Sequence, residues 1–255
     1  MSALEIVTIP CLSDNYAYLL RDASGRVGVI DAPEAEPVVA ALEARGWGLD
    51  AIWITHHHAD HIDGVAALRE RYAPEVVGAR ADRERLPPLD RAVGEGESLA
   101  FGDARAAVID VSGHSLNHVA YHFSEERALF SGDSLFVLGC GRVFEGTHAM
   151  MWASLSKLAR LAPETRVYCG HEYTLANLAF ARSVEPDNPA LREQGEAIEA
   201  QRARDEPTPP STIGRELAAN PFLRAPEPAL QRAIGLEGAD PAAVFAEVRR
   251  RKDAF

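Results

Sequence analysis

An apolar strand that runs straight into Thr55-His56-His57-His58-Ala59-Asp60-His61 leaves this chain few folds to choose from. Ala51-Ile52-Trp53-Ile54 reads as a buried strand, and a helix fits Gly64–Tyr72 just beyond the histidines. In layered α/β proteins such strand ends are where clefts form. His56 and His58 are two apart, so they share a face while extended geometry continues; Asp60 and His61 follow where the chain turns toward the helix. Imidazole and carboxylate donors suit zinc, iron or manganese rather than calcium. A surface run of histidines or an expression tag would explain neither the interruption by Ala59 and Asp60 nor the buried-type strand ahead of it.

The same pattern recurs three times. Ala106–Val111 runs into Ser112-Gly113-His114, Ala128–Phe130 into Ser131-Gly132-Asp133, and Arg166–Cys169 into Gly170-His171. Each time an apolar strand ends, a glycine relaxes the backbone and a histidine or aspartate follows. The candidate ligands are therefore His56, His58, Asp60, His61, His114, Asp133 and His171. They exceed the three or four protein ligands of one catalytic zinc, so two metals are implied. A carboxylate has two oxygens with which to bridge them, and Asp133 is the natural bridge.

Around these motifs the first two thirds of the chain alternate short strands with helices. Strands are expected at Glu5–Ile9, Tyr16–Arg21, Val27–Asp31, Ala51–Thr55, Glu75–Gly78, Ala106–Asp110, Val119–Phe123, Ala128–Ser131 and Arg166–Cys169. Helices fit Glu36–Arg45, Gly64–Tyr72 and Met150–Leu161. This is the pattern of an α/β layered domain. From Tyr173 onward no convincing strand remains. Helices are expected at Thr174–Arg182, Pro189–Arg204, Thr212–Ala219 and Pro241–Lys252, two of them with a first-turn proline behind a polar cap, Asn188-Pro189 and Asp240-Pro241. The division expected is 1–172 for the metal domain and 173–255 for a smaller all-α domain.

Charge and cysteine usage exclude other classes. The net charge of -12 argues against a general nucleic-acid binder. No apolar stretch approaches the ~20 residues that span a bilayer, so no membrane partner is expected. Met1-Ser2-Ala3-Leu4-Glu5 has no basic stretch followed by an apolar run, so no secretory leader is expected. Cys11, Cys140 and Cys169 lie far apart with no C-x-x-C, which fits a reducing cytoplasm and no thiol catalysis. Nothing demands more than a monomer.

T-H-x-H-x-D-H, then G-H, G-D and G-H in that order, resembles the metallo-β-lactamase fold superfamily. Phe130-Ser131-Gly132-Asp133-Ser134-Leu135-Phe136, Gly139-Cys140-Gly141-Arg142-Val143-Phe144-Glu145-Gly146-Thr147 and Tyr168-Cys169-Gly170-His171-Glu172-Tyr173-Thr174 are similar, within it, to the hydroxyacylglutathione hydrolase (glyoxalase II) family. The likeness continues through Asn188-Pro189 and Asn220-Pro221-Phe222-Leu223-Arg224 to Arg249-Arg250-Arg251-Lys252-Asp253, and so covers essentially the whole chain.

The resemblance implies a four-layer αββα sandwich followed by a smaller all-α C-terminal domain. It implies two divalent metals, zinc first, with iron or manganese as alternatives. Metal one would take His56, His58 and His114; metal two Asp60, His61 and His171; Asp133 would bridge. His57 falls outside the ligand set, as a supporting or packing residue. The implied reaction is hydrolysis of S-D-lactoylglutathione to D-lactate and glutathione, a step in methylglyoxal detoxification. Bound metal lowers the pKa of water from 15.7 to about 7, and a hydroxide shared by two metals would attack the thioester carbonyl. Asp60 and Asp133 are the candidate catalytic carboxylates, Asp60 by orienting that hydroxide. Arg142, Phe144, Tyr173, Arg249 and Lys252 are the implied contacts to glutathione. Many members of the family carry lysine where Arg142 stands, and tyrosine or phenylalanine where Phe144 stands; Phe144 offers no hydroxyl. His118, four residues after His114, is either a support for a ligand or a structural histidine. Two other readings use the same residues, a persulfide dioxygenase with one iron and a metal-containing glutathione-binding module without turnover. The complete second ligand set and the helical tail favour the hydrolase.

Overall fold

The computed structural model describes residues 4–255; Met1, Ser2 and Ala3 of the stretch read for a leader lie outside them. The chain forms two compact units. One takes the chain as far as Val111 and then Leu116–Gly132; the other takes Ser112–Ser115 and Asp133–Phe255.

The first unit is a pair of facing sheets. One sheet has the order β1 (Glu5–Cys11), β2 (Asn15–Arg21), β3 (Val27–Ile30), β4 (Ala51–Trp53), β5 (Glu75–Ala79), β6 (Arg91–Val93). The first two pairings are antiparallel and the rest parallel. Parallel neighbours need crossovers. These are α1 (Ala35–Glu43), the pair α2 (Ala59–Ile62) and α3 (Val65–Tyr72), and, between β5 and β6, a loop with the 3-10 turn Arg80–Asp82. α1 buries Val38 and Leu42; α3 buries Val65 and Leu68. The second set of strands is an antiparallel meander, β7 (Ser98–Phe101), β8 (Ala104–Asp110), β9 (Val119–Phe123) and β10 (Ala128–Gly132). β8 alternates buried Ala104, Ala106 and Val108 with exposed Arg105 and Ala107, the period of two that a one-sided strand requires. Aromatic rings fill the space between the sheets. Trp53 stacks on Phe123 with centroids 5.7 Å apart and meets Tyr121 at 5.1 Å, while Tyr18 meets Phe130 at 5.5 Å.

The second unit carries the hairpin β11 (Leu135–Phe136) and β12 (Gly139–Cys140), α4 (His148–Leu158), β13 (Arg166–Cys169), α5 (Thr174–Val184), α6 (Pro189–Arg202), β14 (Ser211–Thr212), α7 (Ile213–Ala219), α8 (Pro228–Ile234) and α9 (Pro241–Ala254). The two helices expected to start on proline, α6 and α9, do so. The Asn188 side chain accepts from the backbone N–H of Ala190 and Leu191, and Asp240 accepts from Ala242. β14 is the departure from an all-helical tail: two residues pair antiparallel with β13, Val167 opposite Ser211, too few to leave a period in the sequence. β6, β7, β11, β12, α2 and α8 were also not expected; each is too short to leave a readable period in the sequence.

The β11–β12 hairpin is held by buried polar groups rather than by its own two-residue strands. Fully buried Glu216 accepts from the Leu138 backbone N–H at 2.8 Å, the Asn220 amide at 2.9 Å and the Ser211 hydroxyl. Asn220 also donates to the Gly139 carbonyl at 2.9 Å, and Asn177 donates to the Val137 carbonyl at 3.1 Å. Burial pushes the Glu216 carboxyl up from its ordinary range, and these donors pull the other way. Glu216→Ala strands several buried donors, so it should lower stability by about 2–4 kcal/mol. Urea unfolding followed by circular dichroism reads this; an unchanged midpoint would refute it. Among the described residues no helix is long and apolar enough to cross a membrane.

Candidate metal centre

Each compact unit contributes its own set of donors. In the first, β4 ends at Trp53 and the chain turns through Thr55–His58 into α2. His56 Nε2 and His58 Nδ1 lie 3.1 Å apart. Two nitrogens bound to one tetrahedral zinc at 2.0–2.1 Å stand about 3.3 Å apart, so this pair is already spaced for a shared ion. Asp60 and His61 sit on α2 itself, with Asp60 Oδ2 and His61 Nε2 3.8 Å apart.

One buried carboxylate organises these ligands. Asp31, at the end of β3, accepts from the Thr55 backbone N–H, the Thr55 hydroxyl and His61 Nδ1, each at 2.8 Å. Nδ1 therefore carries the His61 proton and Nε2 carries the lone pair. The Thr55 hydroxyl has one hydrogen and gives it to Asp31, so it accepts from His56 Nδ1, 3.0 Å away. The same carboxylate thus sets the tautomer of His61 directly and that of His56 through Thr55. Asn15 plays the corresponding part for Asp60, donating to its Oδ2 at 3.0 Å and to its carbonyl at 2.9 Å.

His57 and His118 support this loop. His57 Nδ1 lies 2.9 Å from Oδ2 of buried Asp82, whose other oxygen accepts from Arg85 at 2.6 Å. Side chains alternate along extended backbone, which is why His57 departs from its neighbours. His118 is buried and stacks on His56, with centroids 4.6 Å apart and 14° between planes. Gly132 cannot be replaced here: its φ is +49°, and a Cβ would lie 2.7 Å from both the His118 ring and the Thr55 hydroxyl.

In the second unit three donors meet. Asp133 Oδ2 lies 3.5 Å from His114 Nε2 and 3.3 Å from His171 Nε2. All three residues are buried. His114 Nδ1 donates to the Arg142 carbonyl at 2.8 Å, so its Nε2 carries the lone pair. Gly141 lets that segment approach, since a Cβ there would lie 2.0 Å from the Asp133 carbonyl. His171 follows β13 and is stacked by Tyr173, with centroids 4.6 Å apart and planes 7° apart.

The donor set, its buried supports and its tautomers fit divalent ions of the zinc, iron or manganese type. The thiols do not enter. Burial pushes Cys140 up to about 11 and Cys169 up to about 12, leaving no reactive thiolate at neutral pH.

The residues expected to meet substrate divide into exposed and buried. Phe144 is 62% exposed and packs its edge on His114 at 5.2 Å. Arg142 has 57% of its side chain exposed. Arg249, on α9, is only 4% exposed; it donates to the Cys140 carbonyl and to Asp253. Lys252 donates to the Ala176 carbonyl at 2.9 Å beside the Phe180 ring. Asp31, Asn15 and Asp82 escaped sequence reasoning. Asp31 had a usable signal, since it ends an apolar strand as Asp133 nearly does.

Comparison with known proteins places the chain in a family. The description "metallo-beta-lactamase superfamily" matches residues 13–171, and "hydroxyacylglutathione hydrolase C-terminus" matches residues 172–255. The hydroxyacylglutathione hydrolase of Ruegeria pomeroyi is 57% identical over 253 residues, 99% of each chain. The crystal structure of the BLEG-1 B3 metallo-β-lactamase has a TM-score of 0.67 at 25% identity, covering 87% of this chain and 99% of that one. TTHA1623, crystallised in a di-iron-bound form, has a TM-score of 0.63 at 28% identity, covering 86% of this chain and 100% of its own. On the family descriptions and the full-length relative together, the chain belongs to the hydroxyacylglutathione hydrolase family of the metallo-β-lactamase superfamily.

Proposed function

We propose that this chain is a two-metal thioesterase that cleaves S-D-lactoylglutathione, an S-(2-hydroxyacyl)glutathione, to D-lactate and glutathione, and so serves methylglyoxal degradation. The observation that carries the reading is the single Asp133 oxygen within 3.5 Å of two histidine nitrogens. We assign His56, His58 and His114 to one ion and Asp60, His61 and His171 to the other, with Asp133 shared between them. Zinc is the first choice of metal, and iron or manganese would accept the same donors. We assign residues 1–172 to the hydrolytic centre and 173–255 to glutathione binding, in a cytoplasmic monomer.

Two bound divalent ions would supply a water of lowered pKa and polarise the thioester carbonyl. The protein's own groups do the rest. Asp60, held by Asn15, accepts a proton of the attacking water in a hydrogen bond and so orients it. The glutathione thiolate leaves without an acid, because a thiol of pKa about 8.5 yields an acceptable leaving group near neutrality. Arg249 and Lys252 offer cations to the glycine carboxylate, and Arg142 a further contact to glutathione. Phe144 and Tyr173 flank His114 and His171 with aromatic surface.

The test is turnover of S-D-lactoylglutathione by metal-loaded protein, with metal content read on the same sample. Glutathione release should fall by about 10²–10³-fold or more in His56→Ala protein. Oxygen uptake with glutathione persulfide, one iron per chain and no thioester cleavage would overturn the reading.

A further inference from the structure

The turn between β1 and β2 carries two features that a hairpin does not need. Cys11 pairs with Asn15 across it, and Leu12 is the first of the three residues between them. Leu12 has φ +49°, in the left-handed region that suits glycine or asparagine and strains a bulky side chain. It is also 53% exposed, so little packing offsets that strain. Glu34 holds the turn in this state. It stands at the N-cap position of α1, yet its carboxylate makes no cap bond there; Oε2 accepts from the Leu12 backbone N–H at 2.5 Å. Three residues after Leu12, buried Asn15 donates to Oδ2 and to the carbonyl of Asp60. Three residues of backbone span at most about 11 Å, so the exposed leucine is tethered within that reach of the residue that grips Asp60. Strain that the surrounding structure enforces gathers at ligand-binding sites.

We propose that Leu12 is a specificity-determining residue, an apolar contact for the acyl branch of the thioester, and that Glu34 is the positioning residue that presents it. The proposal rests on the thioesterase reading above and concerns the part of the substrate that reading left without a contact. The residues assigned there to glutathione, Arg142, Phe144, Tyr173, Arg249 and Lys252, all lie in the second unit. Leu12, Glu34 and Asn15 belong to the first unit, with Asp60. Asp60 is assigned to orient the attacking water, and the carbon that carries the acyl branch lies one bond from the carbonyl carbon this water attacks. A leucine side chain offers that branch no hydrogen bond, only apolar area removed from water, so the contact favours larger apolar branches over smaller ones. Held by Glu34, it is presented before the substrate arrives rather than ordered on binding.

The experiment uses full-length, metal-loaded protein and two thioesters, S-D-lactoylglutathione and S-D-mandeloylglutathione, in which a phenyl ring replaces the methyl group. Glutathione is common to both, so the ratio of their kcat/KM values reads the acyl side. Leu12→Asn suits a left-handed backbone and removes the apolar surface. It should lower kcat/KM by about 5–20-fold for the mandeloyl substrate and by about 2–3-fold for the lactoyl substrate. Leu12→Met keeps the apolar surface and should hold the ratio within about twofold of wild type. Glu34→Ala frees the Leu12 N–H and should lower the ratio by about 2–5-fold, and Glu34→Gln, which keeps an acceptor oxygen, should restore it. Tm separates this role from a structural one: Leu12→Asn should be no less stable than wild type, because its backbone is relaxed. An unchanged ratio in Leu12→Asn or Glu34→Ala, an equal loss on both substrates, or a Tm lowered by Leu12→Asn would overturn the proposal. If wild-type protein cleaves neither thioester, the thioesterase reading fails instead, which is a separate result.

Discussion

Asp133→Ala protein is expected to lose thioester turnover by about 10³-fold or more, beyond the usual loss of one transition-state donor. The reason is that one side chain serves two places. Asp133 Oδ2 stands beside His114 Nε2 and His171 Nε2, which belong to different ions in the proposed assignment. Removing it takes a donor from each and the one negative charge that they share. Metal content should drop from about two ions per chain toward one or none. Asp133→Asn keeps the volume and removes the charge, so it should fall between the two proteins. Elemental analysis of dialysed samples reads the loss, and a Tm taken on metal-depleted wild type and variant separates loading from folding. Full metal content with turnover within about tenfold of wild type would show that the carboxylate is not shared.

Asp31→Asn is expected to cost 10–100-fold in metal affinity, roughly the usual cost of losing a partner that orients a ligand. Asparagine cannot satisfy all three donors around this site. With its oxygen toward His61 and the Thr55 hydroxyl, its amide opposes the Thr55 backbone N–H. Flipped, the amide faces His61 Nδ1 and drives the proton onto Nε2, where the ion should bind. Asp31→Ala removes every acceptor and leaves Thr55 and His61 with buried donors unmet. Its backbone is also left-handed, φ +56°, a region that aspartate tolerates better than alanine. A Tm lower by roughly 5–15 °C is expected for the alanine protein, measured without metal. Competition against a chromophoric chelator reads affinity for the asparagine protein. An unchanged affinity would place the tautomers of His56 and His61 under some other control.

The residues proposed as ligands could be picked out because each lies next to a break in an apolar strand, and such breaks are local in sequence. The long strands and the proline-started helices were legible for the same reason. What escaped depends on partners distant in the chain. Asp31 is one carboxylate among many until Thr55 and His61 are seen to converge on it. β14 exists only because β13 offers it a ladder. The surroundings of Arg249 were not legible at all. Arginine near a helix C-terminus suggests a solvated cation or a ligand contact, yet the fold buries it among Cys140, Phe222 and Asp253. Helical spacing tells which residues share a face, not which member of a run of cations is taken into the interior.

The bond from Arg249 to the Cys140 carbonyl joins residues 109 apart. A ribosome adds about 5–20 residues per second, so for roughly 5–20 s the carbonyl exists before its partner has been made. Through that interval the segment carrying Arg142 lacks the contact that later fixes it, and from His171 onward every proposed metal ligand has already been translated. Capacity to bind an ion can thus precede capacity to hold a substrate during the birth of each molecule. α9 then acts as the last fastener of a segment made more than a hundred residues earlier.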